Sequence, residues 1–180
     1  MRRGKLIVIE GGEGCGKTLQ TGLLEKYLNS RRKDIIQAND ELNPRLKIIK
    51  THEPGGTKIG EMLRLHILSP EIQKIPLTET FLFEAARAQL IHDVIKPAIE
   101  RGHVVLTDRG HYATTAYQGY GEGLDIHFIT EIKNRAVSWV QADLSMIIDV
   151  PAYKGMKNVD RRIEEKNQNL EEGITLKAKA

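Results

Sequence analysis

Apolar positions along this chain fall into two kinds of run. Short apolar stretches at Leu6 to Glu10, near Lys47 to Thr51, at Val104 to Thr107 and at Met146 to Val150 have the length and β-branched content of buried strands. Between them, apolar residues recur at helical spacing. One set is Leu19, Leu23, Leu24, Tyr27 and Leu28, a second is Ile59, Met62, Leu63 and Ile67, and a third is Phe128, Ile129, Ile132, Ala136, Trp139 and Val140. A longer helix is predicted from Leu77 towards Arg101, bent at Pro97 and stopped at Gly102. Ser30 to Arg45 is polar and holds Asn39-Asp40 and Asn43-Pro44, so it reads as a surface excursion. Strands alternating with helices predict an α/β fold. Its parallel sheet is covered by helices on both faces, with ligands at the carboxyl ends of the strands.

Composition narrows the frame without changing it. With 180 residues, 40% of them hydrophobic, residues 1–180 are expected to form a single domain with one core and a small lid. The net charge of +3 and a pI near 8.9 suit anionic small molecules. No basic stripe interleaved with aromatics points to nucleic acid. One cysteine rules out a disulfide within the chain, and no signal peptide or apolar run of about 20 residues is present. The expectation is a cytoplasmic protein with neither a nucleic-acid nor a membrane partner.

Chemistry enters between the first strand and the first helix. Gly11-Gly12-Glu13-Gly14-Cys15-Gly16-Lys17-Thr18 fits G-x-x-x-x-G-K-[ST]. In that pattern glycines let backbone N–H groups turn inward around phosphate oxygens at a helix N-terminus. Lys17 is expected to reach the β/γ-phosphates and Thr18 to offer its hydroxyl to Mg²⁺. Cys15 reads as a small packed loop residue. Asp108 ends the third strand on the side where this loop opens, so it is a second candidate Mg²⁺ ligand, and Arg109 is placed to bridge two phosphoryl groups. His103, His111 and His127 show no metal-ligand spacing, and no N-K-x-D guanine signature occurs.

Four motifs in order then carry a resemblance. Glu10 to Thr18, Thr51-His52-Glu53-Pro54-Gly55-Gly56-Thr57, Leu82-Phe83-Glu84-Ala85-Ala86-Arg87-Ala88-Gln89, and Asp108-Arg109 followed by Ala116-Tyr117-Gln118-Gly119 closely resemble the bacterial thymidylate kinases over about residues 5 to 165. The resemblance implies a P-loop NTPase fold of the nucleoside monophosphate kinase type with a short lid at about 152–170. It also implies transfer of a phosphoryl group from ATP to dTMP with Mg²⁺, by a homodimer. Phe83 matches the residue that stacks on thymine, and Arg87, one turn further along the same helix face, a donor to a thymine carbonyl. Thr114 and Gln118 match positions that bond the thymine edge, Tyr117 one beside the sugar, and Glu13 a carboxylate at the 3′-hydroxyl. Arg64 and Arg109 match arginines on the substrate phosphates. Glu53-Pro54 matches a substrate-side turn with a cis bond, and Arg161 and Arg162 the basic lid that closes on ATP.

Some positions depart from the family pattern. His52 stands where arginine is usual, Gly110 replaces a bulkier residue, and Ala113 replaces a hydroxyl residue. The lid is compressed, and the final strand and helix of the pattern are expected to be missing from the chain as it stands. Beside an active kinase for dTMP, two alternatives stay open at this point: a nucleotide-binding paralogue without turnover, and a kinase for another pyrimidine monophosphate.

Overall fold

The computed structural model describes residues 2–39, 41–138 and 140–178, with side chains as far as residue 165. Asp40 and Trp139 of the sequence patterns lie outside the described residues. Strands β1 (Lys5–Gly11), β2 (Ile48–His52), β3 (Val104–Asp108) and β4 (Leu144–Ile148) form one parallel sheet in the order β2-β3-β1-β4. Pairing sets Ile9 and His52 on either side of Asp108, and Gly11 beside Ile148, so the carboxyl ends share one edge. The chain leaves β1 towards β2 on one side and returns past it to β4 on the other. That reversal opens a crevice beside the end of β1.

Leu6 and Val8 of β1 and Val105 of β3 form the main core with Leu90, Ile91, Ile95, Ala98 and Ile99 from the helices below. Ile9, which alternation turns to the other face, is also buried. A strand covered on both faces needs an unbroken apolar run, which is how Leu6 to Ile9 reads.

The helices follow the predicted pattern with informative differences. Helix α1 (Lys17–Ser30) starts inside the glycine motif, and it buries Lys17 and Thr21 while leaving Leu19, Leu23 and Tyr27 exposed. Its rotation is set by turning Lys17 back into the loop rather than by the richest apolar stripe. Within the polar excursion, Arg32–Gln37 forms a short helix, α2, instead of loop; Arg32, Lys33 and Gln37 are good helix formers and no breaker precedes Asn39. Asn43 then makes the expected turn, its Oδ1 accepting from the Arg45 N–H at 2.7 Å.

Helix α3 (Lys58–Leu68) is capped by the Thr57 hydroxyl, and α4 (Pro76–Leu90) begins with proline in its first turn. Ahead of Pro97 the helix widens into a π-helical turn at Ile91–Ile95, before α5 (Lys96–Glu100) and the exit at Gly102. Proline lacks an N–H and its ring crowds the carbonyl four residues back, so widening the preceding turn relieves both.

Helix α6 (His111–Thr114) continues as a second π-helical stretch, Thr115–Gly121, where the sequence pattern gave no helix. Helix α7 (Ile126–Ala136) buries Ile129. Strand β4 lies two residues earlier than Met146 to Val150. Asp143 sets this: its N–H bonds the Leu6 carbonyl at 2.8 Å and its carboxylate accepts from the Leu6 N–H at 2.9 Å, so pairing starts at Leu144 opposite Ile7. The segment read as a lid belongs to one helix, α8 (Ala152–Ala178).

Candidate active site

The phosphate loop faces a cavity of about 880 Å³ at the carboxyl edge of the sheet. Gly11 and Gly12 lead into it, and Gly14, Cys15, Gly16 and Lys17 line it. Lys17 Nζ donates to the carbonyl oxygens of Gly11 at 3.0 Å and Gly12 at 2.8 Å, and its ammonium lies 3.8 Å from the buried Cys15 Sγ. The cation is thus stored inside the loop by groups it can release to an anion. Thr18 Oγ1 donates to Asp108 Oδ2, which places a hydroxyl and a carboxylate together on the cavity wall. Two hard oxygen donors fit Mg²⁺, which takes few protein ligands and completes its shell with water and phosphate oxygens.

Arg109 enters from the next position of the chain with φ 73, a left-handed conformation uncommon for a residue with a side chain. The Thr107 hydroxyl bonds its carbonyl at 2.9 Å and its own N–H bonds the Ile9 carbonyl at 2.9 Å, so the surroundings hold the strained backbone in place. Its guanidinium reaches Glu13 Oε2 at 2.5 Å and lies 5.7 Å from the centre of the Tyr117 ring. Arg162 Nη2 stands 4.0 Å from the other Glu13 oxygen, and Arg161 lines the same cavity. Glu13 therefore meets cations from two elements. Across the cavity Arg64 Nη1 donates to the Pro54 carbonyl at 2.8 Å, the Glu53-Pro54 peptide is cis, and His52 pairs with Glu61 at 3.0 Å.

A second, tight pocket of about 10 Å³ is lined by Phe83, Arg87, Ala113, Thr114, Tyr117 and Gln118, and shares Glu53 and Arg109 with the large cavity. Arg87 is almost fully buried. Its Nε donates to Glu53 Oε2 at 2.7 Å, Nη1 to Glu84 Oε1, and Nη2 to the Gly110 carbonyl at 3.3 Å and to Thr114 Oγ1 at 3.2 Å. Gln118 Nε2 donates to Glu79 at 3.1 Å. Burial pushes the Glu53 carboxyl above its ordinary range against the pull of Arg87. Burial and the nearby Glu53 do the same to Glu10, whose Oε1 is buried without a hydrogen-bond partner. Burial alone would lower the Arg87 pKa, but Glu53 and Glu84 outweigh it and the net shift is upward. Burial, with Lys133 and Arg87 nearby, depresses His111 to about 4, so its imidazole is neutral at pH 7.

Comparison with known proteins identifies the family. The thymidylate kinase family model matches residues 9–179. The chain belongs to the thymidylate kinase family. It is 36% identical over 180 residues to thymidylate kinase of Prochlorococcus marinus (strain NATL2A), covering 97% of this chain and 82% of that one. Against thymidylate kinase of Trichodesmium erythraeum the identity is 42% over 164 residues, covering 88% and 72%. The crystal structure of thymidylate kinase from Ehrlichia chaffeensis superposes with a TM-score of 0.68 at 33% identity, over 92% of this chain and 83% of that one.

In this member of the thymidylate kinase family, three residues without an expected role belong to the site or its floor: Glu10, Glu84 and Asn158. A signal existed for two of them. Glu10 is an acid closing an apolar strand, and Glu84 stands one helical turn before Arg87. Glu10 also makes stability depend on pH. An acid whose pKa is raised by folding contributes stability that is fully present below the ordinary carboxylate range and is lost as pH rises through the elevated value. Glu10→Gln is therefore expected to raise the thermal midpoint in mildly alkaline buffer, with the gain shrinking in acid. A gain that stayed constant across that range would remove the excess proton affinity assigned to Glu10.

Proposed function

We propose that this chain transfers the γ-phosphoryl group of ATP to dTMP, giving dTDP and ADP. The observation that carries the reading is the adjoining of the two cavities: Glu53 and Arg109 line both, so a triphosphate over the phosphate loop and a monophosphate whose base fills the tight pocket meet end to end at Arg109. Phosphoryl transfer needs mainly in-line positioning and neutralisation of the charge on the transferring oxygens. Lys17, Arg109, Arg161 and Arg162 supply cations on that line, while the N–H groups of Gly11 to Gly16 cradle the donor. Thr18 and Asp108 would hold Mg²⁺, which neutralises phosphate charge when bound.

On the acceptor side Arg64 and Arg109 take the dTMP phosphate, and the Glu53-Pro54 turn shapes the wall between phosphate and base. Glu13 is freed from its arginines to meet the sugar 3′-hydroxyl, and Tyr117 packs beside the sugar. Phe83 stacks on the thymine ring. Of the five N–H donors of Arg87, one on Nε, one on Nη1 and two on Nη2 are already bonded. The remaining Nη1 hydrogen is the donor offered to a thymine carbonyl, with Thr114 and Gln118 bonding the base edge. Opening a pocket of about 10 Å³ to admit the ring accompanies binding.

Adjacent helices α3 and α4 leave Met62, Leu65 and Phe81 exposed, apolar surface that supports a homodimer. Among the described residues no helix is long and apolar enough to cross a membrane, and the reading places the enzyme in the cytoplasm. A panel of dTMP, dUMP and dCMP with ATP and Mg²⁺ tests the function: dTDP is expected to form fastest. ADP release without dTDP, or equal use of dCMP, would sink the reading. In the same preparation, a sedimenting mass of one chain would remove the dimer.

A further inference from the structure

The first turns of α8 lie directly on the phosphate loop, backbone against backbone. A Cβ built on Gly14 would stand 2.0 Å from the Gly155 carbonyl oxygen, and one built on Gly155 would stand 2.2 Å from the Glu13 carbonyl oxygen. Gly14 also has φ 69, a conformation that disfavours other residues. Three residues along α8, Asn158 Nδ2 donates to the Gly14 carbonyl oxygen at 3.0 Å. The two glycines thus have a joint purpose: bare backbones let the helix approach until the Asn158 amide closes on the loop.

A trans peptide carries its C=O and N–H on opposite sides. Holding the Gly14 oxygen outward turns the Cys15 N–H inward, where it meets the Gly12 carbonyl at 3.4 Å, long for such a bond. An inward N–H so weakly engaged is the kind of donor that binds a phosphate oxygen. Asn158 also shares a helix face with Arg161 and Arg162, three and four residues on. Both arginines line the large cavity, and Arg162 lies 4.0 Å from Glu13.

We propose that Asn158, seated by the Gly14–Gly155 contact, is a positioning residue that locks the phosphate loop to the cationic face of α8. One hydrogen bond then sets both the Cys15 N–H and the reach of Arg161 and Arg162 around the donor triphosphate. The proposal rests on the reading of the large cavity as the ATP side. Asn158 acts through the loop and the arginines and does not touch the reacting atoms.

Two chemically unrelated substitutions test it. Asn158→Ala removes the donor, and Gly155→Ala wedges a methyl group between the backbones while favouring the helix. Each is expected to raise the Kd and KM for Mg–ATP about tenfold, the scale of one lost hydrogen bond, with the KM for dTMP within about twofold. That split between the two substrates is an effect that a merely structural role would not produce. Combining Asn158→Ala with Arg162→Ala should cost less than the product of the single effects. If the wild type binds Mg–ATP and both single variants bind it equally well, or lose only thermal stability, the proposal is overturned. A wild type that fails to bind Mg–ATP overturns the reading of the cavity along with it.

Discussion

Replacing Lys17 with alanine is expected to lower kcat by about 100- to 1,000-fold, the range seen when one preorganised donor to a charged transition state is removed. The ammonium is buried in the loop and held by two carbonyl oxygens, at 3.0 Å and 2.8 Å, so on the proposed reading it stands close to the phosphates before substrate arrives. A charge that the fold already places beside the reacting groups needs only a short side-chain movement to stabilise the transition state. The loss falls mainly on kcat. The loop N–H groups and Arg109 remain to bind the ground-state phosphates, so the KM for ATP changes less. Steady-state rates at saturating ATP and dTMP check this; a variant within threefold of wild type would take the phosphate loop out of the mechanism.

Arg87→Met is expected to lower the unfolding free energy by about 3–5 kcal/mol, the cost of leaving buried charges without their partner. Its guanidinium is the cation among Glu10, Glu53 and Glu84, each at most 8% exposed, and it contacts two of them directly. Methionine keeps most of the volume, so a cavity contributes little to the change. Loss of the remaining Nη1 donor also raises the KM for dTMP while leaving ATP binding nearly intact. Urea denaturation measures the first effect and a KM comparison the second. An unchanged urea midpoint would mean that the acids are neutral whatever Arg87 does, and equal damage to ATP and dTMP binding would contradict its place on the base side. On the proposed assignment the site couples recognition to stability: the side chain that would offer a hydrogen to the base also stands among three buried acids.

The sheet and the phosphate loop were readable along the chain because each rests on local chemistry. Apolar runs such as Leu6 to Ile9 and Val104 to Thr107 have few alternatives to burial in a parallel sheet, and a glycine loop between strand and helix has few alternatives to holding an anion. What stayed hidden depends on partners distant in the chain. The rotation of α1 answers to Lys17 rather than to Leu19, Leu23 and Tyr27, and the start of β4 to a bond between Asp143 and Leu6. The widened helix at Thr115–Gly121 leaves no periodic trace in seven residues rich in glycine and tyrosine. Glu84 is buried only because helix packing closes over it, and Asn158 is an ordinary helix residue until Gly155 and Gly14 meet.

The order of the strands has a further consequence. Lys17, Thr18, Arg161 and Arg162 come from segments near the two ends of the described chain, on α1 and α8. Phe83, Arg87, Thr114 and Gln118 come from its middle. On the proposed assignment, donor chemistry and acceptor choice are therefore written in separate stretches of sequence that touch chiefly through Glu53 and Arg109. On that assignment, substitutions within residues 79–87 and 113–118 can retune which nucleobase is accepted while Lys17, Thr18, Asp108 and Arg109 stay as they are.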